Sequence, residues 1–255
     1  CSATFTNSFC NYPLLVGQKT NLYKCILENS LEIVSSLGFI GLVHPESIYD
    51  DPKGQSLRRV VYHRLRYHFQ FHNELKLFAE VHNETKYGIH IYGVSNEMVN
   101  FYSIHNLFHP STIDGCFIHD GHGLCMGIKK DGNWNTEAHS KRLVLFTPKE
   151  LKVIASTFGN SNNWESTSLV SIHTHDVIDV LEAFSSFRTH VKDFESKISV
   201  GLNETTDVDN GNIVRKTTFP SSINELIYSG PHIYINNPLY KTPLHNCNTN
   251  KAYDI

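Results

Sequence analysis

Residues 21–45 combine a helical apolar pattern with a short apolar run, and this combination limits the folds open to the chain. Gly38 lies between the two parts, and glycine readily takes the left-handed conformation that ends helices, so we expect the helix to stop there. Residues 39–43 are apolar on both faces, which predicts a strand covered by helices on both sides of its sheet. The helix is predicted from apolar residues three or four positions apart: Leu22, Ile26, Leu27, Leu31, Val34 and Leu37.

The predicted strand ends in a polar loop, His44-Pro45-Glu46, and open α/β sheets bind their ligands at the carboxyl ends of strands. Asn21 is a candidate N-cap for the preceding helix. A helix followed by such a strand is a unit of a doubly wound fold. The fold class predicted is therefore α/β.

Composition describes an ordinary globular chain of 255 residues, 40% of them hydrophobic, with a mean hydropathy of −0.28. No apolar run approaches the ~20 residues that a membrane helix needs, so no membrane partner is expected. Six cysteines form no dense framework, which favours a reducing cytoplasm. The net charge of −3 gives no general argument for a nucleic-acid partner.

Further elements follow from local patterns along the chain. A loop at residues 50–54 precedes a basic helix, and Pro148 is suited to the first position of another helix, capped by Thr147. Residues 176–187 also have a helical period. Strands are predicted at residues 69–71, 88–92, 142–146, 169–172 and 232–235.

The basic helix supplies the candidate DNA contacts, which are Arg58, Arg59, Arg64 and Arg66. Such a run of charge is more often a solvated face than a phosphate-binding surface, and both interpretations stay open.

Residues 11–93 resemble a known enzyme family. The Asn21-Leu22-Tyr23 helix, the apolar strand and the His44-Pro45-Glu46-Ser47 loop are similar to the second half of the catalytic domain of adenine-specific DNA methyltransferases with an NPPY motif, of the type II/IIG restriction–modification class. The resemblance implies a methyltransferase-type, Rossmann-like mixed sheet, followed by a loop-rich α+β region.

The same resemblance implies S-adenosylmethionine as the methyl donor, and no metal. The substrate would be the exocyclic amine of adenine in double-stranded DNA, within a cytoplasmic restriction–modification or phage-defence system. A restriction subunit or a fused nuclease domain would be a partner.

The resemblance also assigns roles to individual residues. Phe78, in the Leu77–Val81 segment LFAEV, would stack on the flipped adenine, although it could equally fill the core. Ile26 and Tyr23 would line the cofactor site, but isoleucine replaces the family's usual aromatic residue, and core packing is the alternative. The loop at residues 44–51 would lie near the DNA.

Asn237, Pro238 and Tyr240 imitate the NPPY motif and are a weak alternative catalytic set. Leu239 replaces a proline, and the tetrapeptide lies downstream of the Asn21 helix instead of upstream. This region resembles more closely the opening of the target-recognition domain.

The family's glycine-rich motif and NPPY motif are expected upstream of the Asn21 helix, so we interpret the chain as a fragment that is inactive when isolated. The predicted division is residues 1–93, the end of the catalytic domain; residues 94–225, a connecting α+β region; and residues 226–255, the start of target recognition.

Two other classes of function stay open. One is a non-catalytic α/β DNA-binding or interaction module that kept the sheet but not the active site. The other is a zinc-dependent binding protein that uses evenly spaced ligands, namely Cys116, His119, His122 and Cys125. Such even spacing would require a very tight wrap around the ion.

Overall fold

A computed structural model describes residues 3–19, 21–158, 161–187, 189, 193, 203–212, 214, 221–222 and 224. The chain divides into two compact units, Cys1–Thr189 and His190–Ile255. In the second unit the structure describes the helix Glu204–Asp209, capped by Asn203, whose Oδ1 accepts a hydrogen bond from the Thr206 N–H at 3.0 Å.

The described helices are α1 Ala3–Thr6, α2 Leu22–Ile33, α3 Ser47–Asp50, α4 Gln55–Arg64, α5 Ser111–Ile118, α6 Pro148–Phe158, α7 Asp176–Ser185 and α8 Glu204–Asp209. The described strands are β1 Ile40–Pro45, β2 Leu65–His72, β3 Lys86–Tyr92, β4 Phe101–Leu107, β5 Lys129–Lys130, β6 Asn133–Trp134 and β7 Val144–Phe146. No helix among the described residues is both long and apolar enough to cross a membrane.

Five strands form one sheet in the order β1-β3-β2-β4-β7, and β5 and β6 form a separate two-stranded ribbon. The pair β2–β4 is parallel, and the three other neighbouring pairs of the large sheet are antiparallel. The predicted α/β class with a mixed sheet is confirmed.

Apolar residues cover both faces of this sheet. On one face, residues of α2, α4, α6 and α7 pack with strand residues such as Tyr92, Phe101 and Phe146. On the other face, Phe69, Phe71 and Ile104 pack against Cys116 of α5. The sheet therefore lies between two layers of the chain, and its central strands are buried on both sides.

The structure corrects two predictions about residues 21–45. Helix α2 ends at Ile33, where Val34 turns to an extended conformation, so Gly38 does not stop the helix. Strand β1 is an edge strand that alternates between more and less exposed residues, and Val43 is 57% exposed. It is not covered on both faces, because the alternate residues Gly41, Val43 and Pro45 are exposed and leave one face open to solvent.

Most of the other predicted elements are confirmed: the basic helix as α4, the paired strands as β2 and β3, the short strand as β7, and the helices α6 and α7. Residues 169–172 form no strand, although the Leu169 N–H donates to the Tyr49 carbonyl at 3.0 Å. Residues 232–235 lie outside the described residues.

Strands from both sides of the predicted domain boundary near residue 93 belong to one sheet, because β4 pairs directly with β2. The assignment of residues 1–93, 94–225 and 226–255 to parts of a methyltransferase stays a prediction.

Candidate functional site

A row of polar side chains occupies the centre of one face of the sheet. His68 of β2 is the register partner of His90 of β3 on one side and of Ser103 of β4 on the other. Alternate residues of a strand share a face, so Gln70 and His105 join the same row. All five are at most 5% exposed, which is unusual for polar residues.

Glu46 reaches this row from the turn after β1. Its carboxylate Oε2 lies 2.9 Å from His68 Nε2 and accepts a hydrogen bond from Gln70 Nε2 at 3.0 Å. Its Oε1 lies 3.2 Å from His90 Nε2. Gly88 makes room for this approach, because a Cβ at that position would collide with Oε1. We call Glu46, His68 and His90 the Glu46 cluster.

Aromatic rings enclose the Glu46 cluster. The His44 ring stacks on His90 with centroids 3.7 Å apart, and its Nε2 lies 2.9 Å from the Tyr92 hydroxyl. Tyr49 of α3, which is 2% exposed, places its ring centroid 4.7 Å from that of His68. These rings separate the carboxylate from solvent.

The histidines of the row differ in their hydrogen bonds. His68 Nδ1 lies 2.9 Å from Ser103 Oγ, and His105 Nδ1 lies 3.1 Å from the Ile172 carbonyl. His90 is 0% exposed, and neither of its ring nitrogens has a hydrogen-bond partner.

Burial sets the charge of these groups at neutral pH. It lowers the pKa of His90 to about 3, that of His105 to about 3 and that of His44 to about 4, so these rings are neutral. Burial alone would raise the pKa of Glu46, but His68 beside the carboxylate outweighs it and holds the pKa well below its usual range. The site therefore contains an ionised carboxylate beside neutral imidazoles.

The ligand atoms of the Glu46 cluster lie within 4.8 Å of one another. In the part of the chain that the structure describes, it is the one group of three such side chains close enough to hold a metal ion.

Phe78, the predicted stacking residue, is 45% exposed. Its ring meets Tyr87 edge-on, with centroids 4.9 Å apart, and it is not a core residue. The side chain of Asn73, 0% exposed, holds the backbone of this loop: its Oδ1 accepts from the Phe78 N–H at 3.0 Å, and its Nδ2 donates to the Phe78 carbonyl at 2.8 Å.

The predicted cofactor residues lie on α2. Ile26 is 49% exposed, so the alternative that it packs in the core is wrong. Tyr23 is half-buried, stacks on His44 at 5.1 Å and shares a hydrogen bond of 2.6 Å with Ser47 Oγ. A polar cleft of about 570 Å³ opens beside the start of α2, lined by Lys19, Asn21, Lys24, Ser47, Asp50, Asp51 and Pro52.

The four arginines do not form one exposed face. Arg58 is 2% exposed and donates to the carbonyls of Ser166 and Ile48, so the prediction that it contacts DNA is wrong. Arg64 donates to a backbone carbonyl at 2.8 Å, and Arg66 belongs to β2. Arg59 is exposed, 3.5 Å from a glutamate carboxylate.

The cysteine–histidine alternative is not supported by the positions of its residues. Cys116 is buried in α5, whereas His122 is exposed, and no three of the four ligand atoms lie close enough for one ion. Asn237, Pro238 and Tyr240 lie outside the described residues.

Sequence reasoning missed the Glu46 cluster, although a signal for it was present. Polar residues alternate with apolar ones in each central strand, as His68 and Gln70 do in β2, Gly88 and His90 in β3, and Ser103 and His105 in β4. Alternation in one strand is ordinary, whereas alternation in three strands indicates a polar row.

A scan against protein-family models finds no match. A search of curated proteins also finds none. Among solved structures, the type IIG restriction endonuclease BpuSI is 21% identical, with a TM-score of 0.28, covering 37% of this chain and 11% of that one.

The type I restriction enzyme EcoKI M protein (EC 2.1.1.72) is 15% identical, with a TM-score of 0.37, covering 67% of this chain and 42% of that one. The chain thus spans less than half the length of either protein. Both similarities are too weak to define a shared fold.

Proposed function

We propose that this chain is part of a DNA methyltransferase of a restriction–modification or phage-defence system. It would transfer a methyl group from S-adenosylmethionine to the exocyclic amine of adenine in double-stranded DNA. The observation that carries the proposal is the order of segments in residues 21–81, from the Asn21 helix through the strand and the His44 loop to LFAEV. Helix α2, strand β1, helices α3 and α4 and strand β2 follow in that order, and strand β3 comes after LFAEV.

The exposure of Phe78 supports its proposed role. An enzyme that modifies a base must take it out of the stack, and an aromatic ring can hold the flipped base. The Phe78 side chain is 45% exposed, and its ring lies nearly perpendicular to that of Tyr87, with centroids 4.9 Å apart. Base stacking on such a ring contributes about 1–3 kcal/mol.

Asn73 supports the same role, because it fixes the backbone that carries Phe78. A buried amide with three good hydrogen-bond partners in one loop limits the positions of that loop. A stacking residue on a fixed backbone loses little entropy when the base binds.

In this proposal Tyr23 and Ile26 contact the cofactor from α2, and Arg59, Arg64 and Arg66 lie toward the DNA backbone. Residues 226–255 begin the target-recognition domain. Asn237, Pro238 and Tyr240 remain the weaker catalytic alternative. The protein acts in the cytoplasm, with a restriction subunit or fused nuclease as partner.

The test is methyl transfer from labelled S-adenosylmethionine to duplex DNA by the natural polypeptide that contains this chain. Phe78→Ala should lower kcat/KM by about 5- to 150-fold, the factor that corresponds to the loss of one stacked base. Phe78→Tyr should retain most of the activity, because tyrosine also stacks.

Phe39→Ala is the matched control, because Phe39 is a phenylalanine with 70% exposure that has no assigned role. It should methylate as the wild type does. A natural polypeptide that binds DNA but transfers no methyl group would overturn the proposal in favour of the non-catalytic module. Full activity of Phe78→Ala would remove Phe78 from the site.

A further inference from the structure

The ring nitrogens of His90 are buried without a hydrogen-bond partner in the surrounding protein. The ring as a whole is fully buried. Nε2 lies 3.2 Å from Glu46 Oε1 but outside hydrogen-bonding geometry. Native proteins rarely leave a buried polar group unpaired, so this nitrogen points to a missing partner.

The neighbours of His90 Nε2 have the spacing of metal ligands. Zinc binds imidazole nitrogen and carboxylate oxygen at about 2.0–2.2 Å in a tetrahedron, so adjacent ligand atoms are about 3.3 Å apart. In the Glu46 cluster, Glu46 Oε2 and His68 Nε2 are 2.9 Å apart, and Glu46 Oε1 and His90 Nε2 are 3.2 Å apart. Small movements would bring all three around one ion.

Two of the three ligands are already oriented by other groups. Ser103 Oγ lies 2.9 Å from His68 Nδ1, so a proton on Nδ1 leaves the Nε2 lone pair facing the carboxylate. Gln70 Nε2 donates to Glu46 Oε2, and Gln70 Oε1 accepts from Ser171 Oγ at 2.7 Å. Metal-binding histidines and carboxylates are usually held in this way.

We infer that the Glu46 cluster binds a divalent first-row transition-metal ion, Zn²⁺ being the best match, through the Glu46 carboxylate, His68 Nε2 and His90 Nε2. Two imidazoles disfavour Mg²⁺ and Ca²⁺, which take oxygen ligands. Three protein ligands leave the fourth tetrahedral position for a water molecule.

The ion would serve the structure of the sheet. Its ligands come from β2, from β3 and from the turn after β1, so one ion ties three parts of the chain together. Burial beneath Tyr49 keeps substrates away from it. The inference departs from the sequence-based expectation of no metal and does not depend on the proposed methyltransferase activity.

The first experiment measures metal content and thermal stability in the full chain. The protein is purified without a histidine tag from zinc-supplemented cells, and its metals are determined by mass spectrometry. We expect close to one zinc ion per chain. Removal by a chelator should lower the melting temperature, and added Zn²⁺ should restore it. Substoichiometric metal, together with no response of the melting temperature to Zn²⁺, would overturn the inference.

Variants then locate the ion. His90→Ala should lose the zinc, whereas His105→Asn should keep it, although His105 is equally buried in the same row. Ser103→Ala keeps all three ligands and should weaken zinc affinity by about 10- to 100-fold. This milder change remains informative if His90→Ala fails to fold.

Cys125→Ser separates this site from the cysteine–histidine alternative. It should retain zinc at the wild-type level, because Cys125 is not a ligand of the Glu46 cluster. Loss of zinc in Cys125→Ser with retention in His90→Ala would overturn the assignment.

Discussion

The two faces of strand β2 are buried to similar degrees but are filled by different chemistry. On one face Phe69 and Phe71 pack against apolar neighbours. On the other, His68 and Gln70 surround a carboxylate with hydrogen bonds. Both faces belong to one strand, so the two faces differ only in the kind of contact that their side chains make with neighbouring residues.

Apolar contact is non-directional, so an apolar face tolerates exchanges that keep volume. A buried polar face depends on particular atoms, because each lost partner leaves another group unsatisfied. The polar face should therefore be the more sensitive to substitution, and three stability measurements can test this.

The largest effect is expected for Glu46→Ala. It removes the acceptor for Gln70 Nε2 and the partner of His68 Nε2, and each buried group left unsatisfied costs about 1–3 kcal/mol, so the free energy of unfolding should fall by about 2–6 kcal/mol. Urea denaturation measures the loss. Glu80→Ala, at an exposed glutamate, is the control and should change stability little. Equal stability of the two variants would contradict the importance of the polar face.

A smaller effect is expected for Gly88→Ala, where the new Cβ collides with the Glu46 carboxylate and the His90 ring. Overpacking of this kind costs about 1–3 kcal/mol. Gly41→Ala is the matched control in the same sheet, because the nearest atom to its Cβ is Ile91 Cδ1 at 3.6 Å, an ordinary contact. If thermal unfolding shows no difference between them, the close approach of Glu46 to β3 is wrong.

The smallest difference in the free energy of unfolding is expected between substitutions at Ser103 and Ile104, which are neighbours on β4 and face opposite sides of the sheet. Ile104→Leu keeps volume on the apolar face and should cost less than about 1.5 kcal/mol. Ser103→Val removes the partner of His68 Nδ1 and should cost about 1–3 kcal/mol. The two free energies of unfolding are compared under identical conditions. A larger loss for Ile104→Leu would reverse the comparison between the faces.

Local patterns were sufficient for elements whose signals lie in adjacent residues. The cap of α6 and the helical period of α7 predicted those helices correctly, and the strands predicted at residues 69–71 and 88–92 fall within β2 and β3. The environment of β1 was not predictable in this way, since residues 39–43 contain no information about which segments pack on the faces of the strand. Arg58 looked like a surface charge because the carbonyl that accepts from its Nε belongs to Ser166, 108 residues away in the sequence.

The candidate site was only partly predictable for the same reason. The loop at His44 was singled out, but the partners of Glu46 depend on the register of β2 against β3 and β4. Phe78 was identified through the resemblance to the methyltransferase family, and only the structure showed that its side chain is exposed. Strand register is decided by the whole sheet, and one sequence gives no direct measure of it.

The strand order also has a consequence for the sequence of folding events. Strands β2 and β3 follow one another in the chain with residues 73–85 between them, whereas the chain must cross over β2 before β4 can pair with it. Glu46 lies 22 residues before His68, and Ser103 lies 35 residues after it. Contacts at such separations form more slowly than local ones. His90 also lies 22 residues from His68, so His68 should meet His90 and Glu46 at a similar stage. Ser103, at the largest separation, should arrive last to complete the surroundings of His68.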